Sequence, residues 1–474
     1  MEATVVADGV AGPLPGRCAY FVERKKRYCK MVAGSGKTYC GEHANSDAGG
    51  DRKRIPCPLD PKHTVYEDSL AKHLKKCNSK EKPKPVYFVK DINTGPVCDE
   101  DTVSDEVPLA DYSAEKMDRL LQKLRQAVKG LNVSHRQSVL SHDALHDALN
   151  DPKNGDSALK HLKQQASLLG NMERVCVLGS KRCVVEFGAG RGKLSHWIHA
   201  AATQETQDNL HFLLVERSTT RFKVDGKNKG SDCTFERLQV DIQHLDLSKV
   251  PLLQDKRLPV VGVGKHLCGG ATDLALRCLL ERSSSAAAAA DDDDDDDDAE
   301  EQPASKRLRG EAGHVDLSAW QPRVIGVCIA LCCHHRCDWR SYVGQDFFKG
   351  RGLGPAEFRA FTRMSSWATC GMTANHRAGQ TEGKGVTEGP DKRQVEEEQE
   401  EEHEEEEMEN IPESLSSMSV QERERIGRLC KRLIDEGRVQ YLKSRGQETG
   451  LSCYIGDDIT LENTLLTAVP EPSL

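Results

Sequence analysis

The sequence predicts an α/β fold built on a parallel sheet, preceded by two small modules rich in cysteine and histidine. Three observations predict it. From residue 182 onward, short apolar runs ("CVVEFGAG", "LHFLLVER", "LPVVGVGKHLCGG", "RVIGVCIALCCHH") alternate with helical patterns, as right-handed strand–helix–strand units require. Between residues 18 and 77, five cysteines and three histidines fall at metal-ligand spacing. Two acidic stretches, 283–314 and 371–415, bury too little apolar surface to offset their ordering entropy and read as disordered inserts in surface loops.

At 474 residues the chain has room for two or three domains. It contains no run of about 18 apolar residues, so no membrane span is expected. The start, "MEATVVADGVAGPLPGR", lacks the basic-then-apolar layout of a secretory signal. With 18 cysteines, the expectation is a reducing intracellular compartment, nucleus or cytoplasm, where clustered cysteines bind zinc more often than they pair. The net charge of −9 conceals an uneven distribution. Asp291–Glu301 holds ten carboxylates and Gln394–Asn410 eleven, so removing those 21 negative charges leaves +12 on the rest. Arg17–Lys90 alone carries 18 Lys and Arg against 8 Asp and Glu, the footprint of a polyanion binder.

In chain order, 1–16 reads as a tail, 17–44 and 55–79 as the two modules, 80–114 as a polar linker and 115–470 as the sheet domain. "SAEKMDRLLQKLRQAVKGL" places Met117, Leu120, Leu121, Leu124 and Val128 on one helical face. "SALKHLKQQASLLGNM" continues as helix, and "QERERIGRLCKRLIDEGR" forms the last one. "VQYLKSRG" and "LSCYIGDDITLENTLLTA" are expected as the closing strands.

Cys18, Cys29, Cys40 and His43 give C-x10-C-x10-C-x2-H, and Cys57, His63, His73 and Cys77 give C-x5-H-x9-H-x3-C. Each quartet fills a tetrahedral zinc site by itself, so both ions are expected to be structural, two per chain. The second spacing resembles the CHHC zinc finger of spliceosomal RNA-binding proteins and certain tRNA methyltransferases. Tyr20, Phe21, Arg24, Lys25, Lys26, Arg27 and Tyr28 lie between ligands and suit phosphate contact and base stacking.

"CVVEFGAGRGKLS" joins an apolar strand and Glu186 to Gly188, Gly190 and Gly192 at a helix start. Such a loop alone also fits dinucleotide folds. The G-x-G-x-G spacing and the preceding carboxylate, which would repel a pyrophosphate, favour S-adenosylmethionine instead. Glu216, ending the second strand, is placed for ribose hydroxyls, and Asp241, after the third, for the adenine.

The two modules, "HLKQQASLLGN", "EFGAGRGKLS", "GKHLCGGATDLALRC" and "ALCCHHRCDW" occur in the order seen in eukaryotic tRNA 2′-O-methyltransferases that modify nucleotide 4 of the acceptor stem. The chain resembles that family over 17–79 and most of 115–470. The resemblance implies a Rossmann-like methyltransferase domain using S-adenosylmethionine, with tRNA as partner and a cytidine or adenosine at position 4 as target. The long acidic inserts depart from the pattern. For removing the 2′-hydroxyl proton, residues at the ends of the middle strands are the candidates: Lys265 first, then His266 and His334. Arg336, Arg340 and Arg363 are candidate phosphate contacts, and Cys328 reads as core. In "ALCCHHRC", side chains that alternate along a strand put Cys332 and Cys333 on opposite faces, so the stretch reads as a wall of the transfer site rather than a third metal site. The alternative reading is an RNA-binding zinc-finger protein whose methyltransferase-like domain is an inactive scaffold.

Overall fold

A computed structural model describes residues 12–22, 27–34, 36–40, 43, 54–77, 79–80, 83–96, 108–132, 136–202, 209–218, 233–281, 320–369 and 418–472. Both segments expected to be disordered inserts lie outside the described residues, as do Arg24, Lys25 and Lys26. The chain divides into two compact units, 1–85 and 86–474.

In the first unit, β1 (Phe21–Val22) pairs antiparallel with β2 (Arg27–Tyr28). Further on, β3 (Arg54–Cys57) and β4 (Asp60–Tyr66) form a hairpin followed by α1 (Leu70–Lys76). The apolar core beneath α1 consists of Cys57, Val65 and Cys77, with Ile55, Leu70 and Leu74 against them. So few side chains cannot offset the entropy of ordering the segment without a further cross-link.

The second unit contains α2 (Ala114–Ala127), β5 (Arg136–Gln137), α3 (His146–Leu149), α4 (Asp156–Arg174), β6 (Arg182–Phe187), α5 (Lys193–Ala202), β7 (Leu210–Val215) and β8 (Thr234–Leu238). It continues with α6 (Pro251–Lys256), β9 (Val260–Gly264), α7 (Ala271–Leu280), β10 (Val324–Leu331), α8 (Gln345–Gly350), α9 (Pro355–Ser365), α10 (Val420–Ser444), β11 (Gln447–Cys453) and β12 (Thr464–Pro470). The eight strands lie in the order β5-β11-β12-β10-β9-β6-β7-β8. From β8 across to β10 all neighbours are parallel, and β12 runs antiparallel between β10 and β11. The chain winds outward through β6, β7 and β8, then returns to lay β9 on the other side of β6. Such a reversal opens a crevice at the carboxyl ends of β6 and β9, where ligands bind in open α/β sheets.

Alternation along β6 builds both layers. Cys183, Val185 and Phe187 pack with residues of α6, α7 and α10, whereas Val184 packs with residues of α4 and α5. A third apolar cluster gathers α2, α8, α9 and the first half of α10 around Trp339, Tyr342, Phe348 and Phe358. Met117, Leu120, Leu121 and Leu124 are the buried face of α2, as their spacing predicts.

Two expectations are corrected. "VQYLKSRG" is not a strand: helix α10 runs on to Ser444. Val439, Tyr441 and Leu442 continue its buried face into the core of the sheet, and a spacing of 2 and 3 suits either periodicity until packing chooses. Residues 86–96 are not free linker either. The Asn93 amide donates to the Ile242 and Leu245 carbonyls at 2.6 and 2.9 Å, and Phe88 bridges to Leu245, which straps the segment to the sheet unit.

Candidate active site and metal centres

The two predicted ligand quartets assemble. Cys18, Cys29, Cys40 and His43 offer ligand atoms within 4.8 Å of one another, as do Cys57, His63, His73 and Cys77. In the first, His43 Nδ1 lies 3.4 Å from Cys18 Sγ and 3.3 Å from Cys40 Sγ, its ring stacked on Tyr20 at 3.9 Å. In the second, β3 ends on Cys57, β4 carries His63, and α1 presents His73 one turn before Cys77. Cys57 Sγ is 3.8 Å from Cys77 Sγ, and the two histidine Nε2 atoms are 3.1 Å apart. Asp60 Oδ2 stands 3.5 Å from His63 Nδ1, the outer-shell carboxylate that orients a ligating imidazole. Both donor sets suit a tetrahedral zinc ion with no open position.

At the end of β6, Gly188, Gly190 and Gly192 all have positive φ, +62°, +46° and +73°, a conformation that residues with a Cβ rarely adopt. Glu186, buried beneath it, accepts the Ser195 backbone N–H at 3.0 Å and the Ser195 hydroxyl, so it caps the first turn of α5. Burial pushes the Glu186 carboxyl up to about 7, against the Ser195 hydrogen bonds and the Arg237 charge. Glu216, after β7, accepts the Gly190 N–H at 3.1 Å, and Arg237 donates to the Gly190 carbonyl at 2.9 Å. A Cβ at Gly188 would meet Leu267 and the His266 carbonyl, and one at Gly192 would meet Leu214. At Gly190 it would meet nothing within 4 Å. The turn is thus packed on both flanks and open at its tip, with carboxylates at two strand ends. That arrangement fits a ligand with a cationic amine and hydroxyls better than a pyrophosphate, as S-adenosylmethionine requires. Asp241 caps the next turn, accepting from Gln243 N at 3.0 Å.

Lys265 and His266 follow β9 directly. Lys265 is half-buried, its Nζ 3.1 Å from His161 Nδ1 on α4, and His266 is exposed. His334, after β10, is 1% exposed, with Nε2 2.7 Å from Asp435.

Residues 163–469 match the family model described as Methyltransferase TRM13. The chain belongs to the TRM13 methyltransferase family. Residues 16–44 match the CCCH zinc finger in TRM13 protein, and 54–78 match the U11-48K-like CHHC zinc finger. A mouse protein named tRNA:m(4)X modification enzyme TRM13 homolog is 53% identical, over 99% of this chain and 98% of its own length. A human protein of the same name is 50% identical, over 97% and 96%. The Saccharomyces cerevisiae protein named tRNA:m(4)X modification enzyme TRM13 is 28% identical, over 95% of each. No solved structure matches the chain.

In this TRM13-family chain, three arrangements escape sequence reasoning. His161, first residue of "HLKQQASLLGN", reads as one more helical position, yet it meets Lys265. Arg438 is buried between α7 and the loop after β10. It donates to Asp273 through Nε at 3.1 Å and Nη2 at 2.7 Å, and to Asp435 at 2.9 Å. Its spacing from Asp435 on α10 is the only local signal. Third, the expectation that Cys332 and Cys333 diverge is corrected. The strand stops at Leu331, and Cys333 adopts left-handed backbone angles, φ 48° and ψ 44°. Both thiols then meet Cys268 from the loop after β9. Contacts with Cys332 and Cys333 pull the Cys268 thiol down to about 3, and the contact with Cys268 raises the other two. Cys328 is core, its thiol pushed up by burial to about 12. Arg336 is exposed; Arg340 and Arg363 are half-buried.

Proposed function

We propose that this chain transfers a methyl group from S-adenosylmethionine to the ribose 2′-hydroxyl of nucleotide 4, a cytidine or adenosine, in the tRNA acceptor stem. One observation carries the reading. Gly188 packs against the His266 carbonyl and Leu267, so the glycine turn and the Lys265–His266 segment border one crevice. The names of the mouse and human relatives, tRNA:m(4)X modification enzymes, support tRNA as the substrate.

S-adenosylmethionine, when bound, supplies the methyl group. Glu186 and the three glycines would hold its amino acid part, Glu216 its ribose and Asp241 its adenine. Lys265 orients the 2′-oxygen and takes up its proton at Nζ; His161 Nδ1 accepts a hydrogen bond from the ammonium so formed. Holding the hydroxyl in line contributes roughly 7–11 kcal/mol, and the proton acceptor about 10²–10⁴-fold. His266, exposed at the same strand end, is the second group able to touch a nucleotide. Enclosed as it is, His334 acts by positioning the loop after β10 through Asp435. Lys and Arg side chains of the two zinc modules contribute phosphate contacts, which position the RNA.

The test is incubation of the full chain with methyl-labelled S-adenosylmethionine and bulk tRNA, followed by mapping of the labelled nucleotide. Label as a 2′-O-methyl group at position 4 is the expected result. Label on a base, at another position, or absent from RNA overturns the proposal.

A further inference from the structure

The loops after β9 and β10 bring three thiols together, two residues beyond His266. Cys268 Sγ lies 3.3 Å from Cys333 Sγ and 3.9 Å from Cys332 Sγ, and all three sulfurs fall within 4.8 Å of one another. Thiolates about 2.3 Å from a tetrahedral ion stand roughly 3.8 Å apart, whereas a disulfide draws its sulfurs to about 2.05 Å. The CHHC module offers a second comparison: its two ligand sulfurs, Cys57 and Cys77, lie 3.8 Å apart, close to the 3.9 Å between Cys268 and Cys332.

The convergence is built into the backbone. At Gly269, with φ +66°, a Cβ would stand 2.7 Å from the Arg336 carbonyl oxygen, and at Gly270 it would strike Ser341 and Asp338. Cys337 Sγ also donates to the Gly269 carbonyl at 3.5 Å. The two loops are therefore clamped face to face by contacts that do not involve the three thiols. Cys333 holds its left-handed conformation although it has a Cβ, a strain that folds tend to retain at functional sites. That turn breaks the strand alternation and lets the neighbouring sulfurs approach the same partner.

We propose that Cys268, Cys332 and Cys333 bind a third metal ion, a soft divalent cation with zinc as the natural occupant, and leave one coordination position open. Thiolate donors select zinc over hard cations such as magnesium or calcium. Three protein ligands with a free fourth corner distinguish zinc centres that take up water or a substrate atom from closed structural ones. Both N-terminal modules are of the closed kind. This ion would join the β9 and β10 loops at the carboxyl edge of the sheet, with an exogenous oxygen in its fourth corner. The thiol geometry that would hold it is independent of which nucleotide is methylated.

The experiment counts metal in the full-length chain, purified under thiol reductant without added metal, by elemental mass spectrometry. Three zinc ions per chain are expected for the wild type and two for the Cys268→Ser/Cys333→Ser variant. Two in the wild type, or no difference between the chains, overturns the proposal. A second measurement needs no variant. Cys268 and Cys176 are both exposed, so in the native wild type iodoacetamide should label Cys176 readily and Cys268 only after a chelator is added. Equal labelling of the two before chelation, or recovery of a Cys268–Cys333 disulfide from reduced protein, overturns it as well.

Discussion

The buried Glu186 carboxylate accepts both the backbone N–H and the hydroxyl of Ser195, which fastens the glycine turn to the first turn of α5. Burial pushes its carboxyl from the ordinary 4.5 up to about 7. The folded chain therefore keeps a proton that the unfolded chain releases over that interval. This contribution is fully present below about pH 4.5 and is lost as pH rises through about 7; at about 1.4 kcal/mol per unit it comes to about 3 kcal/mol. Glu186→Gln should flatten the fall in stability between those pH values, as read from urea unfolding at a series of pH values. An unchanged slope would show that Glu186 is already ionised in the fold.

Lys265→Ala should preserve the fold and cofactor affinity while lowering methyl transfer by at least about 10²-fold, the range for removal of a proton acceptor. Single-turnover assays separate this from weakened binding. Turnover near that of the wild type would remove Lys265 from the mechanism.

Arg438 neutralises Asp273 and Asp435, which are 0% and 1% exposed. Arg438→Met would leave Asp273 buried without its counter-charge and Asp435 with His334 alone beside it, at a cost of about 3–5 kcal/mol. Chemical denaturation should show that drop in stability, and a change below about 1 kcal/mol would mean that water reaches the pair.

Chelation should unfold the zinc modules and spare the sheet. Among its described residues the first unit has only a handful of buried apolar side chains, so its ions supply most of its folding free energy. Hydrogen exchange after treatment with a chelator should show protection abolished across 17–79 and retained in β6, β7, β9 and β10. Retained protection across 54–77 would contradict this.

Deleting residues 1–80 should weaken tRNA binding and flatten its salt dependence, the slope falling by roughly 0.7–0.9 for each phosphate that the shortened chain no longer neutralises. Titrations at several salt concentrations measure both, and an unchanged slope would place the phosphate-binding groups on the sheet unit.

What the sequence determined by itself is whatever depends on neighbours along the chain. The ligands of each zinc quartet span no more than 26 residues, and short loops bring such donors together whatever surrounds them. Strand ends, the glycine turn and the apolar face of α2 are legible for the same reason, because periodicity and backbone freedom act within a few residues. The tertiary structure decided the pairs that bridge separate elements. Cys268 and Cys333 are 65 residues apart, His161 and Lys265 104, and Asp273 and Arg438 165. No local pattern marks such partners, since each pair meets only once the order of strands sets β9 beside β10 and packs the helices against them. The same dependence settled the "VQYL" run, which alternates well enough for a strand. Burial of Val439, Tyr441 and Leu442 against the sheet made it the end of a helix.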